Sequence, residues 1–277
     1  MTYGAFQRAF FLDLQRAGLP LEEVRALWAR WTEWTHGNRL VFSMVDPKMP
    51  LPNHEAAQAV LDRLKRHEPW AHIRGKVDFA GLSLAIDSRA LIPRPETEEV
   101  LHAALEVLPV GGRLLDWCSG SGCIALAAKQ HRPDAHVEGW EWSDEALALA
   151  RENQILTDLD VDFMKADLNH SPTGNNESYD VVVSNPPYVH PSEILDLSVA
   201  EYEPQAALYS PESDVLHFYR RIEAWAQVQV VPGGYVVLEC HAEHARDAAA
   251  LFTAGWKAPE ILFDFCGKER TLRVQRA

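Results

Sequence analysis

The 277-residue chain predicts an α/β protein, a mostly parallel sheet with helices on both faces, preceded by a small all-helical segment. Three observations carry this reading. After Pro95, short apolar runs alternate with stretches of helical period, the pattern of strands joined by crossover helices. Before about residue 75 the periodicity is helical throughout. The charge divides at the same place. Residues 1–75 carry ten Lys/Arg against eight Asp/Glu, and residues 76–277 carry sixteen against thirty-two, so the net charge of −14 belongs to the second part.

In chain order, Phe6, Phe10, Phe11 and Leu14 recur at helical spacing, as do Val24, Leu27, Trp28 and Trp31. Residues 56–64 form a third helical stretch after a loop punctuated by Pro47, Pro50 and Pro52. Trp28, Trp31 and Trp34 read as core packing, although a small aromatic-rich bundle is also a common docking module. Residues 77–93 hold short β-prone pieces around Gly81, a hairpin linking two parts. Strands follow at 113–118, 137–142, 161–166, 180–184, 235–239, 261–265 and 271–274, seven in all. Helices are expected at 123–130, 143–156, 215–228 and 242–254. Ser143 caps the second of these, and Asp144 and Glu145 suit its N-terminal dipole. The expected organisation is a helical substrate-recognition domain over 1–75, a hairpin linker over 76–93 and the α/β domain over 94–277.

Composition limits the function classes. The chain is 47% hydrophobic and 24% charged, enough apolar material for a sizeable core. No run reaches the ~18 apolar residues of a membrane span. The first eighteen residues, with Arg8, Asp13 and Arg16 spread through them, read as an amphipathic helix and not a signal peptide, so a cytoplasmic protein is expected. Four cysteines make no disulfide framework, and no His or Cys pair at finger spacing accompanies Cys118 and Cys123, so no metal is expected. His241 and His244 read as the exposed start of a helix. A strongly acidic domain gains nothing from counterion release and argues against a duplex DNA substrate.

Ligands in such sheets sit at the carboxyl ends of the strands. The first strand of the α/β part runs through Asp116 into Cys118-Ser119-Gly120-Ser121-Gly122, a small-residue turn opening a helix. Glycine there permits close backbone approach, and the helix offers free N–H groups. No Gly-Lys-Ser/Thr follows, which excludes a Walker loop, and the third glycine of a dinucleotide fingerprint is missing. The second strand ends at Glu141, placed to accept the hydroxyls of a ribose. The third ends at Asp167-Leu168, where the acid can accept from an adenine amino group and the leucine can pack on its ring.

The fourth strand ends in Ser184-Asn185-Pro186-Pro187-Tyr188-Val189. The side-chain oxygen of Asn185 and the main-chain carbonyl of Pro186 are two acceptors. The prolines fix φ and remove competing donors, and Tyr188 offers a flat face. Two acceptors and a ring make a cradle for a planar NH2 group, either an amide or the exocyclic amine of a base. Such a nitrogen is a poor nucleophile. Holding both N–H bonds aligns it with an electrophilic methyl, and acceptors that strengthen as charge builds stabilise the transition state.

At this point the chain resembles the HemK/PrmC family, class I S-adenosylmethionine-dependent methyltransferases that modify the glutamine of the Gly-Gly-Gln motif in peptide chain release factors. The likeness covers nearly the whole chain. It rests on residues 69–75, on 79–81, on Leu91-Ile92-Pro93-Arg94-Pro95-Glu96-Thr97-Glu98 as the most specific marker, on Asp116 to Gly122, on Asn185 to Tyr188, on Glu203-Pro204, and on Gly267 with Arg270.

The resemblance implies a Rossmann-like methyltransferase domain with a seven-stranded sheet. It implies S-adenosylmethionine held by Asp116, Cys118, Ser119, Gly120, Ser121, Gly122, Glu141, Asp167, Leu168 and Asn185. It implies catalysis by Asn185 and Pro186, and a substrate cradle of Asn185, Pro186, Pro187 and Tyr188. Class I release factors are the implied partners, with no direct nucleic acid and no membrane. The adenine methyltransferases of nucleic acids share the asparagine-proline-proline-tyrosine corner, but the charge and the lack of a base-recognition domain oppose them. The ribosomal-protein glutamine methyltransferases usually carry other residues where 95–98 stand. A non-catalytic module with a retained pocket fits poorly with an intact corner. Three departures from the family pattern stand out. Cys118 replaces the first glycine of the cofactor loop, so a residue with a Cβ must accept that backbone geometry. Glu141 replaces the usual aspartate. Cys240 and His241 follow Glu239 in place of an apolar residue and glycine.

Overall fold

The computed structural model describes residues 1–37, 45–170 and 178–277, and their packing divides them into two units. The first comprises Met1–Arg74 together with Leu197–Tyr202. Its helices are α1 (Tyr3–Arg16), α2 (Leu21–His36), α3 (His54–Leu64) and the short α4 (Trp70–Arg74). Residues 38–44 of the stretch read as helical lie outside the described residues. Thr2 caps α1 by accepting from the Ala5 N–H, and Gly37, at φ +71°, closes α2 in a left-handed turn. Phe6, Phe10, Trp28 and Trp31 form the centre of this core, with the two indoles stacked at 5.1 Å. Trp34 departs from the core reading. It is 49% exposed, and its ring meets Trp70 edge-on at 5.6 Å, which leaves much of the indole to solvent.

The second unit comprises Gly75–Asp196 with Glu203–Ala277. It begins with a two-stranded antiparallel hairpin of β1 (Lys76–Phe79) and β2 (Leu82–Ala85). Phe79, Leu82 and Leu84 bury themselves in the core of this unit. Then follow α5 (Pro95–Val107), β3 (Arg113–Trp117), α6 (Cys123–His131), β4 (His136–Glu141), α7 (Asp144–Thr157), β5 (Asp162–Lys165) and β6 (Tyr179–Ser184). The chain closes with α8 (His217–Gln229), β7 (Val230–Glu239), α9 (Ala245–Ala249), β8 (Glu260–Phe263) and β9 (Glu269–Gln275).

The large sheet has seven strands in the order β5-β4-β3-β6-β7-β9-β8. The pairs from β5 to β7 are parallel, and β9 runs antiparallel to both neighbours. This is the class I methyltransferase fold. Alternation along each strand divides the core. Leu114, Val181 and Val183 face α5, α6 and α7 on one side, and Leu115, Trp117 and Val182 face α8 and α9 on the other. The parallel strands β3 and β6 are buried on both faces, so they read as continuous apolar runs.

Two elements differ from expectation. β7 begins at Val230, not 235, because Val230 pairs with Tyr179 before a register shift and the glycines of 233–234 do not end the strand. The helix expected over 242–254 is only α9. Beyond it Leu251 and Phe252 donate three residues back, to Ala248 and Ala249, so the chain winds more tightly and then breaks at Gly255. His241 to His244 form a turn ahead of α9. No helix among the described residues is long and apolar enough to cross a membrane.

Candidate active site

The carboxyl ends of β3, β4, β5 and β6 converge on one cavity of about 640 Å³. Cys118, Ser119, Gly120, Ser121, Glu141, Asp167, Leu168, Asn185 and Pro187 all line it. Asp116, Gly122, Pro186 and Tyr188 are not among its lining residues and adjoin them in sequence.

The loop after β3 is set by its backbone. Cys118 at φ +60°, Gly120 at +56° and Gly122 at +80° alternate in the left-handed region. Glycine accepts that geometry freely, but Cys118 carries a Cβ against the carbonyl sterics that disfavour it. At Gly122 a side chain is excluded on a second count, because a Cβ there would lie 2.7 Å from Cζ of Phe163. Asp116, fully buried, accepts from the Ser119 hydroxyl at 2.7 Å and the Ala125 N–H at 3.2 Å through one oxygen. Burial pushes its carboxyl up to about 7, against the pull of those two donors. Asn153, from α7, holds the loop from outside. Its amide exchanges hydrogen bonds with the Ala85 backbone at 2.7 and 3.1 Å and donates to the Ser121 carbonyl at 3.0 Å.

Two further acids face the cavity. Glu141 accepts the Gly120 N–H through one oxygen and the Ser143 N–H through the other, both at 2.8 Å. Burial raises its pKa above the usual carboxylate range, and those N–H groups offset part of the rise. Asp167 is more open. Burial pushes its carboxyl up, but the Asn169 N–H at 2.8 Å and the His170 ring at 2.7 Å outweigh it, so its pKa is lowered.

The asparagine-proline corner is braced from α5 and β7. The Asn185 amide NH2 donates to the Thr97 hydroxyl at 3.3 Å. Thr97 in turn donates to Glu239 at 2.6 Å, and Tyr188 donates to the other oxygen of the same carboxylate at 3.0 Å. Glu239 is fully buried at the end of β7. Burial raises its pKa, and the Thr97 and Tyr188 hydroxyls and the Arg270 charge pull it back in part. The Tyr188 ring packs against the core under β7, not into the cavity, and burial holds its phenol well above the ordinary value. Ser184 donates to the Trp117 carbonyl at 2.6 Å and ties β6 to β3 directly under the corner. No described donor reaches the Pro186 carbonyl. The specific marker segment is anchored beside this corner. Glu203 accepts from the Ile92 N–H at 2.9 Å and from Arg94 at 2.6 Å, which joins residues 91–97 to the loop at 203–211 that closes the cavity.

Sequence reasoning passed over several of these residues. Trp142, 55% exposed on the rim, follows Glu141 directly and could have been read from that position. Thr97 and Glu239 lie in or beside stretches already singled out, but nothing local shows that they meet, 142 residues apart. Asn153 is an asparagine buried in mid-helix, and only its tertiary partners explain it.

The cavity suits a cationic nucleoside. Glu141 and Asp167 present carboxylates to it, and an adjacent positive charge favours their ionised forms. Ser121 Oγ and Asp116 Oδ1 are buried without a hydrogen-bond partner among the described residues, so polar atoms remain to be satisfied at the loop. No group of three or more His, Cys, Asp or Glu among the described residues could hold a metal ion.

Comparisons with known proteins place the chain in a family. Residues 97–202 match the methyltransferase small domain family. The chain is 40% identical over 273 residues to the release factor glutamine methyltransferase of Deinococcus radiodurans, covering 95% of each chain. It is 36% identical over 220 residues to the Bacteroides thetaiotaomicron protein of the same name, covering 78% of this chain and 79% of that one. In fold it resembles a methyltransferase from Pyrococcus furiosus, with a TM-score of 0.54 at 16% identity over 80% of this chain and 98% of that one.

Proposed function

This chain belongs to the release factor glutamine methyltransferases, and we propose that it methylates the side-chain amide nitrogen of the glutamine in the Gly-Gly-Gln motif of class I peptide chain release factors. The observation that carries this reading is the corner at 185–188, set on the rim of the acid-lined cavity with the Asn185 amide already oriented by Thr97.

S-adenosylmethionine, when bound, supplies an electrophilic methyl. In this reading Glu141 accepts ribose hydroxyls, Asp167 and Leu168 hold the adenine, and the loop after β3 approaches the remainder closely; that Glu141, Asp167, Leu168 and residues 118–121 all line the one cavity supports it. Asn185 Oδ1 and the Pro186 carbonyl accept the two N–H bonds of the substrate amide and fix its plane. Fixing that plane presents the nitrogen lone pair in line for transfer, which removes an orientational cost from the barrier. As positive charge builds on nitrogen its N–H bonds become stronger donors, so the same two acceptors bind the transition state more tightly than the ground state. No strong base is required, because the methylated nitrogen is acidic and loses its extra proton to water.

The helical unit is the proposed grip on the release factor outside the methylated motif. Its near-neutral charge and exposed Trp34 support that role, and a chain lacking residues 1–75 that still modified intact release factor at the full rate would refute it. The proposed compartment is the cytoplasm, where translation ends. The test of function offers labelled S-adenosylmethionine with a class I release factor, the same factor with its Gly-Gly-Gln glutamine changed to alanine, and duplex DNA. Label on the first alone is expected. Label on DNA, or on both protein forms equally, would overturn the glutamine assignment.

A further inference from the structure

We propose that Glu239 and Thr97 are positioning residues that fix which end of the Asn185 amide faces the substrate, a claim that rests on Asn185 serving as the acceptor in the proposed reaction. An asparagine amide is nearly symmetric in shape and opposite in polarity at its two ends. With its oxygen toward the substrate NH2 it accepts. Turned over, it presents a donor to a donor and transfer stops.

The hydrogen bonds select one orientation by a chain of single choices. The Thr97 and Tyr188 hydroxyls and the Arg270 charge favour the ionised form of Glu239 against its burial, and an ionised carboxylate only accepts. Glu239 takes the Tyr188 hydroxyl on one oxygen at 3.0 Å and the Thr97 hydroxyl on the other at 2.6 Å. Thr97 has one proton, and that short contact to a carboxylate uses it. Its oxygen can then only accept, and the partner at 3.3 Å is the Asn185 NH2. The Asn185 carbonyl oxygen is thereby turned away from Thr97 and kept for the substrate. The relay spans three elements, the end of β7, the first turn of α5 and the residue after β6, so neither a helix nor a strand alone could set it. Burial of Glu239 and Thr97 keeps water from supplying alternative donors.

Three variants test this: Thr97→Val, which keeps the shape and removes the acceptor; Thr97→Ser, which keeps the hydroxyl; and Glu239→Gln, which places a donor where only an acceptor stood. For Thr97→Val, kcat for methyl transfer to a release factor is expected to fall roughly ten- to hundredfold, the range for leaving one buried polar group unsatisfied. KM for the release factor and the dissociation constant of S-adenosylmethionine should stay within about threefold, because the contact of Asn185 with the amide is strongest in the transition state and most of the release factor is held elsewhere. Thr97→Ser should retain most of kcat, and Glu239→Gln should lose at least as much as Thr97→Val. An unchanged kcat in Thr97→Val, or equal loss in Thr97→Ser, would overturn the relay.

A second readout needs no substrate. The Asn185 side-chain NH2 signal in a 15N-labelled protein, assigned by its loss in Asn185→Asp, should exchange slowly with water in the wild type and in Thr97→Ser, and quickly in Thr97→Val. Equal exchange in all three would overturn the relay even if release factors proved not to be the substrate. Wild-type protein inactive on release factors but showing this exchange pattern would instead refute the functional assignment and leave the relay standing.

Discussion

Replacing Cys118 by glycine and, separately, by alanine should reverse the usual order of the two residues in stability. Cys118 sits at φ +60°. A Cβ in the left-handed region costs about 1–2 kcal/mol through its clash with the following carbonyl. Glycine escapes that cost but loses more freedom on folding, roughly 0.5–1 kcal/mol relative to alanine. Both variants lose the sulfur and its contact with the core around Trp117, so that loss cancels between them. The remainder is about 0.5–1 kcal/mol in favour of glycine, taken as the difference of those two effects. Urea unfolding followed by tryptophan fluorescence should give Cys118→Gly the higher midpoint, by about 0.2–0.5 M for a slope of a few kcal/mol/M. Alanine equal to or above glycine, with unchanged slope, would refute the claim that this loop holds a strained side chain. S-adenosylmethionine affinity should move little in either variant, because none of the loop's hydrogen bonds to Glu141, Asp116 or Asn153 is made by the Cys118 side chain.

Asn185→Ala should lower transfer by at least about a hundredfold, the scale of losing one preorganised transition-state contact, while calorimetry finds S-adenosylmethionine binding within about tenfold of wild type; equal loss of both would make Asn185 chiefly a cofactor ligand. Asn153→Ala should destabilise the larger unit by about 2–4 kcal/mol in thermal or urea unfolding, because the Ala85 backbone and the Ser121 carbonyl lose buried partners together. The pH dependence follows from Asp116, whose carboxyl is raised to about 7 from 3.8 by burial. The folded state holds that proton where the unfolded chain has released it, so this contribution is complete below about 4 and is lost as pH rises toward 7. Asp116→Asn should flatten the fall in unfolding free energy across that window, and an unchanged slope would show that Asp116 ionises without penalty in the fold.

Much of this architecture is legible in the sequence because burial on both faces of a parallel sheet writes itself as apolar runs. The runs at 114–117 and 181–184 mark β3 and β6, and Ser143 announces the start of α7. Strand ends are equally legible as places where a small or acidic residue interrupts a run, which is how Glu141 and Asp167 come to notice. Hidden were properties that depend on partners distant in sequence. Tyr188 looks like a stacking platform until Glu239 claims its hydroxyl and the core its ring. Trp34 has the spacing of a core residue, yet it is half exposed and meets the Trp70 ring edge-on. The helix after Glu239 is shortened by i→i−3 bonding that no propensity in its alanines foretells. The geometry of Cys118 could be read only by likeness, because nothing in a cysteine signals a positive φ.

The place of β9 has a consequence for the order in which the molecule is assembled. It is the last strand in the chain, yet it lies inside the sheet between β7 and β8. β8 reaches the sheet through its pairing with β9, so it can join no earlier than β9, which docks on β7 through Leu272 and Val274. Opposite β9 on β7 stands Glu239, paired in register with Thr271. During synthesis the cofactor loop and the asparagine corner leave the ribosome before the strand that seals the carboxylate beneath them. A nascent chain that carries β7 but not yet β9 would therefore have its cavity mapped out and its reactive corner unset.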